Sequence, residues 1–344
     1  MKGLWKVLTP FAPDQSGAVS VLYELGGILV IVDAGGCAGN VCGFDEPRWF
    51  SHKSAVFSAG LRDMDAILGR DDKLVEKLLL AVEDIDAEFA AMIGTPVPAV
   101  IATDYQALRR LAERRTGLPV LTVDSNGVEL YDAGEEKAYR ALFERFAVED
   151  CPTEPGRIGV IGATPQDLSD LAAPDLLAEA FPGRTVCCYG MGAGLDEVKR
   201  AAAAEENLVV SPAGLAAAKL LQERFGTPYR VGYPPAARML PEESYAGKKV
   251  LVVHQQVIAH ALKEEFLARG AGAVTAAGWF MQKRELAQNG DVLLREEDDF
   301  TELAAAGGYD VIAADPVLKP LAKHFTGKWI DTPHFALSGK LVNG

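Results

Sequence analysis

Long hydrophobic runs and a surplus of basic residues are both missing from this sequence. The longest apolar stretch, GGILVIVDAGG at residues 26–36, is too short to cross a bilayer, which takes about 20 residues. The net charge of −14 argues against binding to nucleic acid or to an anionic membrane surface, because both attract basic proteins. The early lysines are not followed by the apolar segment of a signal peptide. We therefore expect a soluble, cytoplasmic protein.

Cysteine and histidine are also scarce, with five of each. An odd number of cysteines in a long chain without a signal peptide is not a disulfide framework, so the thiols are free or bind metal. Cys187 and Cys188 are adjacent in a predicted strand, so at least one of them belongs to the core. No two histidines have the HxxxH or HExxH spacing of a zinc site, and the GxSxG and P-loop motifs are absent. We therefore do not expect the chain to hydrolyse ATP itself.

Short apolar runs alternate with helical stretches along all 344 residues. This alternation predicts an α/β fold of three doubly wound, parallel-sheet (Rossmann-like) domains around a central cleft. We expect an N-terminal α/β domain with a cysteine loop at 1–150, a middle α/β domain at 151–245 and a C-terminal α/β domain at 246–344. The predicted strands are 27–34, 98–103, 119–124, 157–163, 184–190, 207–212, 229–234, 248–255, 272–280, 291–296, 309–316 and 328–333, and the main predicted helices are 71–93, 105–117, 213–226 and 258–270.

The loop after the first predicted strand carries Cys37 and Cys42 in the sequence DAGGCAGNVCG. Ligands of open parallel sheets bind beyond the carboxyl ends of the strands, and the glycines of this loop let its backbone approach a ligand closely. Iron–sulfur clusters normally need four thiolates, and a two-fold dimer would bring two such pairs together across its axis. One hypothesis is therefore a bridging [4Fe–4S] cluster. The other is that both cysteines are small buried side chains in a turn.

Other side chains that follow predicted strands are candidates for catalysis in the cleft. A single histidine is more often a structural residue than a ligand, so a structural role stays open for those among them. Asp33 is a further candidate, because it lies with Asp45 and Glu46 beside the cysteine loop and would either relay protons or cap turns. The strand-end candidates are His254, His334 and Ser211.

Five segments of the chain carry a resemblance to a known family. They are SGAVSVLYELGGILVIVDAGGCAGN (16–40), FSAGLRDMDAILGRDDKLVEKL (57–78), TPVPAVIATD (95–104), GLPVLTVDSNG (117–127) and NLVVSPAGLAAAKLLQERFGTPY (207–229). In order and spacing they resemble the nitrogenase component 1 family, which includes the molybdenum–iron protein subunits and the dark protochlorophyllide reductases. The resemblance implies that Gly36 and Cys37 belong to an interface cluster site and that Cys42 replaces a missing ligand. Pro96 and Ser211 stand where nitrogenase has cysteines, which argues against a nitrogen-fixing subunit.

The resemblance also implies a function. The chain would be a nitrogenase-like oxidoreductase component that receives electrons from a separate ATP-dependent iron protein. A [4Fe–4S] cluster shared across a subunit interface would pass these electrons to a small-molecule substrate in the cleft between the domains. The chain would pair with itself or with a homologous subunit. Two alternatives remain, namely a scaffold or carrier for metallocluster assembly and a metal-free small-molecule binding protein of the same fold.

Overall fold

Three separate parallel β-sheets organise the computed structural model, which describes residues 5–52, 54–62, 71–148 and 151–342. Their strand orders are β2-β1-β3-β4, β6-β5-β7-β8 and β11-β10-β9-β12-β13. Helices connect the parallel strands, which confirms the predicted α/β class. The strands are β1 Gly27–Ile31, β2 Ala55–Ser58, β3 Phe89–Ile93, β4 Val120–Val123, β5 Glu154–Ile161, β6 Thr185–Cys188, β7 Ala204–Val209, β8 Tyr229–Val231, β9 Lys249–Val253, β10 Ala273–Gly278, β11 Val292–Leu293, β12 Val311–Ala314 and β13 Lys328–Asp331.

The helices range from single turns to four and a half turns. The predicted helix that begins at Tyr105 is confirmed, because the Asp104 carboxylate accepts from the Ala107 amide at 2.9 Å and Gly117 ends the helix with a φ of 75°. No helix among the described residues is both long and apolar enough to span a membrane. The helices are α1 Asp14–Leu22, α2 Gly36–Asn40, α3 Asp71–Asp84, α4 Pro96–Val100, α5 Tyr105–Thr116, α6 Tyr131–Phe146, α7 Pro165–Leu168, α8 Ala173–Glu179, α9 Leu195–Lys199, α10 Leu215–Phe225, α11 Gln256–Ala268, α12 Glu297–Ala306 and α13 Phe335–Ser338.

One predicted strand is wrong. Residues 98–103 do not form a strand, since Pro96–Val100 is a short helix, and the strand of this region is β3, which the sequence placed in a helix over 71–93. That helix ends at Asp84. Residues 89–93 form a strand because they pair with β1 on one side and β4 on the other, and all five of them are buried. Proline lacks the amide hydrogen that a central strand needs, whereas it fits the first turn of a helix.

Helix α1 packs closely against helix α6. Every residue of α1 is buried, which the sequence did not predict. The two helices approach so closely that a Cβ atom on Gly17 would lie 1.9 Å from the Tyr131 carbonyl oxygen. A Cβ atom on Gly134 would lie 1.7 Å from the Asp14 carbonyl oxygen. Glycine is therefore required at both positions.

The cores of the three sheets are continuous with one another. One apolar cluster joins Leu29 of β1 to Val209 of β7, and a second joins Val160 of β5 to Val252 of β9. Each sheet takes its strands from one of the three predicted segments. The domain boundaries at 150 and 245 stay a prediction.

Candidate functional site

The cysteine loop begins where β1 ends, at a buried carboxylate. Asp33 is 1% exposed, and its Oδ2 accepts from the Ala38 amide at 2.9 Å while its Oδ1 accepts from the Ser58 hydroxyl at 2.5 Å. Gly35 enters the short helix α2 with a φ of 122°, which favours glycine. Asp33 therefore caps the helix that carries Cys37, which is the structural one of the two roles considered for it. Its role as a proton relay stays a prediction.

A π-helical turn, Val41–Asp45, follows α2 directly. The Glu46 amide donates to the Val41 carbonyl at 2.9 Å, five residues back. Cys37 therefore lies on the short α-helix and Cys42 on the π turn that follows it. Single π turns inside or beside helices are frequent at functional sites.

Both thiols are free and half-buried. Burial raises the pKa of Cys37, and the Asp33 carboxylate raises it further. Burial also raises the pKa of Cys42, with a smaller contribution from Glu46. Both side chains are therefore protonated thiols at neutral pH, and a metal ion that binds them displaces a proton from each.

The donor chemistry fits one half of an iron–sulfur site. Thiolates are the usual ligands of such clusters, and Cys37 and Cys42 lie on an accessible loop. Within the described part of the chain, no group of three or more histidine, cysteine, aspartate or glutamate side chains is placed to hold a metal ion. A four-thiolate site thus requires a second subunit. Backbone amides of such a loop often donate to the sulfur atoms of a bound cluster. The Gly39 amide instead donates to the Gly35 carbonyl at 3.3 Å.

The segment that carries the thiols contains no charged side chain. Residues 34–44 have the sequence AGGCAGNVCGF, in a protein whose residues are 24% charged. Phe44 and Phe50 are 75% and 80% exposed, and the space beside Gly36 is open. Exposed aromatic side chains on an uncharged, glycine-rich face are typical of a protein–protein interface.

A buried arginine, which the sequence analysis missed, fixes this loop to the rest of the fold. Arg48 is 3% exposed, and its Nε and Nη2 each donate to one oxygen of Glu46 at 2.7 Å. Its Nη1 donates to Glu24 Oε1 at 2.9 Å and to the Gly190 carbonyl at 2.8 Å. Glu24 Oε2 in turn accepts from the Gly192 amide at 2.6 Å. The only signal in the sequence is an arginine two residues after Glu46, which does not reveal the distant partners.

A cavity of about 830 Å³ lies beside the loop, between the segments 9–13, 40–50 and 335–341. Its walls include four phenylalanines and the amide of Gln166 from the second sheet unit. Gln166 Nε2 donates to the Asp45 carbonyl at 2.6 Å, so the side-chain oxygen of Gln166, Oε1, takes no part in this hydrogen bond. That oxygen is buried and has no hydrogen-bond partner among the described residues. A ligand that presents a hydrogen-bond donor to Gln166 would satisfy it. The four phenylalanines are Phe11, Phe44, Phe50 and Phe335.

The structure brings His254 and His334 together, and neither side chain lines this cavity. Their rings stack with centroids 4.4 Å apart. His254 Nδ1 accepts from the Gln255 amide at 2.9 Å, so its Nε2 carries the hydrogen and donates to the Pro333 carbonyl at 3.2 Å. Burial lowers the pKa of His254 to about 4, and burial together with His254 lowers that of His334. Both imidazoles are therefore neutral in this arrangement.

Ser211 lies in a group of buried acidic and hydroxyl side chains that the sequence did not predict. Tyr131 Oη donates to Asp167 Oδ1 at 2.8 Å and lies 3.2 Å from His334 Nε2. Thr164 Oγ1 donates to Glu135 Oε1 at 2.6 Å. Ser211 is fully buried near Asp167, and its hydroxyl forms no hydrogen bond among the described residues. The residues come from all three sheet units, and no local sequence pattern signals their meeting.

Comparison with known families gives a match over most of the chain. The family profile described as "Nitrogenase component 1 type Oxidoreductase" matches residues 15–237. The nitrogenase iron-molybdenum cofactor biosynthesis protein NifE of Sinorhizobium fredii is 26% identical over 244 residues, which cover 67% of this chain and 49% of the relative. NifE of Bradyrhizobium diazoefficiens is 27% identical over 184 residues, which cover 52% of this chain and 33% of the relative. The chain thus spans half the length of these relatives or less.

Solved structures give a match over nearly the whole fold. The structure titled "Nitrogenase Cp1 at pH 6.5" has a TM-score of 0.74 and 12% identity, and the match covers 96% of this chain and 87% of the other. The structure titled "Nitrogenase Cp1 at pH 5" has a TM-score of 0.70 and 13% identity, with 97% and 86% covered. At these identities the likeness concerns the fold alone.

Proposed function

Because the chain belongs to the nitrogenase component 1 type oxidoreductase family, we propose that it is a reductase component with an iron–sulfur cluster at a subunit interface. One observation carries this proposal. Two free, half-buried thiols lie on a capped glycine-rich turn at the end of β1, in a segment without charged side chains. Two copies of this face, or this face and a homologous subunit, would supply four thiolates to one [4Fe–4S] cluster.

The residues of the chain have separate tasks in this proposal. Cys37 and Cys42 hold the cluster, which when bound takes up and releases one electron at a time. Asp33 and Arg48 hold the loop in place through the hydrogen bonds described above. The exposed ring of Phe44, once covered by the second subunit, excludes water from the site. As in the family resemblance, the electron donor is a separate ATP-dependent iron protein.

The cavity beside the loop is the proposed substrate site. Its lining includes Asn40 and Gly43, which lie on either side of Cys42 in the sequence. Its aromatic walls suit a mainly apolar molecule, and the free Gln166 Oε1 requires a hydrogen-bond donor. His254, His334 and Ser211 do not line this cavity, and their catalytic roles stay predictions, as does the location in the cytoplasm.

A second candidate function is a scaffold or carrier for metallocluster assembly. The observation in its favour is that both relatives described above are named as cofactor biosynthesis proteins. The two functions differ in what happens to an electron after it reaches the protein. A reductase passes electrons on and returns to its oxidised state, whereas a scaffold keeps its cluster or releases it to an acceptor.

Single-turnover electron transfer tests the proposal. The reconstituted protein is mixed anaerobically with a nitrogenase-type iron protein and ATP, and its visible absorption is followed. A reductase component becomes reduced only when ATP is present and is reoxidised by its substrate. Cluster transfer to an apo-protein acceptor, without ATP-dependent reduction, would instead assign the scaffold function. Protein that binds no iron would leave the metal-free binding protein.

A further inference from the structure

We propose that Glu135 and Asp167 share a single proton and form a latch that holds the three sheet units closed around the cavity. The latch is independent of iron and electron transfer, so it goes beyond the proposed function. Glu135 lies on α6, which packs against the first sheet, and Asp167 lies on α7, which follows the first strand of the second sheet. The third unit joins them through His334, which lies 4.0 Å from Asp167.

The hydrogen-bond inventory of the two carboxyl groups requires a proton between them. Glu135 Oε1 accepts from Thr164, and Asp167 Oδ1 accepts from Tyr131. The other two oxygens, Glu135 Oε2 and Asp167 Oδ2, are buried and form no hydrogen bond with a donor of the described residues, and the nearby Ser211 hydroxyl forms none either. Thr164 connects the two residues, because the same hydroxyl that donates to Glu135 also accepts from the Asp167 amide at 3.4 Å. Burial raises the pKa of Glu135, and the neighbouring Asp167 carboxylate raises it further. Two adjacent buried carboxyl groups cannot both be ionised, and one shared proton satisfies both free oxygens.

The groups that face the pair supply no positive charge to replace this proton. The tyrosines are neutral, and burial keeps His334 neutral as well. Asp132 adds a further carboxyl group that opposes ionisation. Consistent with this, burial raises the pKa of Asp167 to about 6 and that of Glu135 well above its ordinary value. The facing groups are Tyr131, Asp132 and Tyr139 of α6, Thr164, Ser211 and His334.

The latch lies directly behind two parts of the cavity wall. Gln166, which precedes Asp167, lines the cavity, and so does Phe335, which follows His334. The amide of His334 is held by Asp315 Oδ2 at 2.8 Å, and the amide of Phe335 is held by Ser169 Oγ at 2.6 Å. When the shared proton is lost, repulsion between two buried carboxylates separates α7 from α6, and the wall at 335–339 opens.

Hydrogen exchange of the amides at 334–339 tests the latch in the intact chain. Glu135→Gln replaces the shared proton by a permanent amide donor, so it keeps the latch closed at every pH. The exchange rate of the wild type, divided by that of Glu135→Gln at the same pH, is expected to be close to one at pH 6. At pH values above the pKa of the shared proton, this ratio rises about tenfold per pH unit, because opening is linked to the loss of one proton. Glu144→Gln, which alters an exposed carboxylate on the same helix, is the control and follows the wild type.

Infrared spectroscopy detects the shared proton directly and gives a second test. The infrared difference spectrum between the wild type and Glu135→Gln at pH 7 is expected to contain the C=O band of one protonated carboxylic acid, which shifts in D₂O. A ratio of one up to pH 9, or a spectrum without this band, would overturn the proposal. If Glu135→Gln does not fold, Asp167→Asn tests the same point, because its amide donates to Glu135 Oε2.

Discussion

Arg48 Nη1 donates to the backbone carbonyl of Gly190 at 2.8 Å, across 142 positions of the chain. This hydrogen bond joins the cysteine loop of the first sheet unit to a turn of the second. The same guanidinium also binds Glu46 and Glu24, so it is paired with two carboxylates in the interior. The position of the thiols therefore depends on a long-range contact as well as on local helix capping.

Arg48→Met should destabilise the protein by about 3–5 kcal/mol, because it leaves the buried carboxylate of Glu46 without its partner. Urea unfolding measures this loss. The control is Arg140→Met, which removes an exposed pair with Glu144 and should cost less than about 1 kcal/mol. The double variant Arg48→Met, Glu46→Gln should recover part of the stability. Equal effects of the two single substitutions would contradict a structural role for Arg48.

Cys37 and Cys42 should react slowly with iodoacetamide at pH 8. Burial raises the pKa of both thiols, so each is a smaller fraction thiolate than a thiol in water, and only the thiolate reacts. The rate should continue to rise above pH 9, where a free thiol approaches its plateau. Mass spectrometry of the labelled peptides measures both rates against free glutathione. Rates equal to that of glutathione at pH 8 would show that the thiols are not shielded.

Phe50→Asp should convert a dimer into a monomer. This ring is 80% exposed eight residues beyond Cys42, and in the proposed interface between two copies a carboxylate there would be buried without a partner. Light scattering measures the molar mass. Leu267→Asp, an exposed apolar position on α11 far along the chain, is the control and should leave the mass unchanged. A Phe50→Asp protein that remains dimeric would place the interface elsewhere.

Stability should fall as the pH is lowered from about 6.5 towards 4. Burial lowers the pKa of His254 to about 4, so between these values the unfolded chain binds a proton that the folded protein excludes. The loss from this residue amounts to at most about 1.4 kcal/mol per pH unit. His254→Gln should flatten the slope, because glutamine stays neutral while keeping a donor and an acceptor. His52→Gln, at an exposed position, is the control. An unchanged slope in His254→Gln would contradict the neutral buried imidazole.

The sequence predicted most of the strands, although not β2 or β3, and it predicted little of the site. Most strands were predicted correctly because a parallel strand covered on both faces is a continuous apolar run, as GILVI in β1 shows. The wholly buried helix α1 has no polar face, so it gives no helical period to detect. The loop that carries Cys37 could be located from the end of β1, whereas the contacts of Arg48 and of Glu135 join distant segments. Such pairings depend on packing between sheets, which no local pattern encodes.

The most direct test of the proposed function is the iron content of the chain purified and reconstituted without oxygen. We predict about four iron atoms per dimer, with an EPR signal in the reduced state. Cys37→Ser and Cys42→Ser should each abolish both, whereas Cys151→Ser, at another free and half-buried thiol, should not. A wild-type protein without iron, or iron that persists in both Cys37→Ser and Cys42→Ser, would contradict the account.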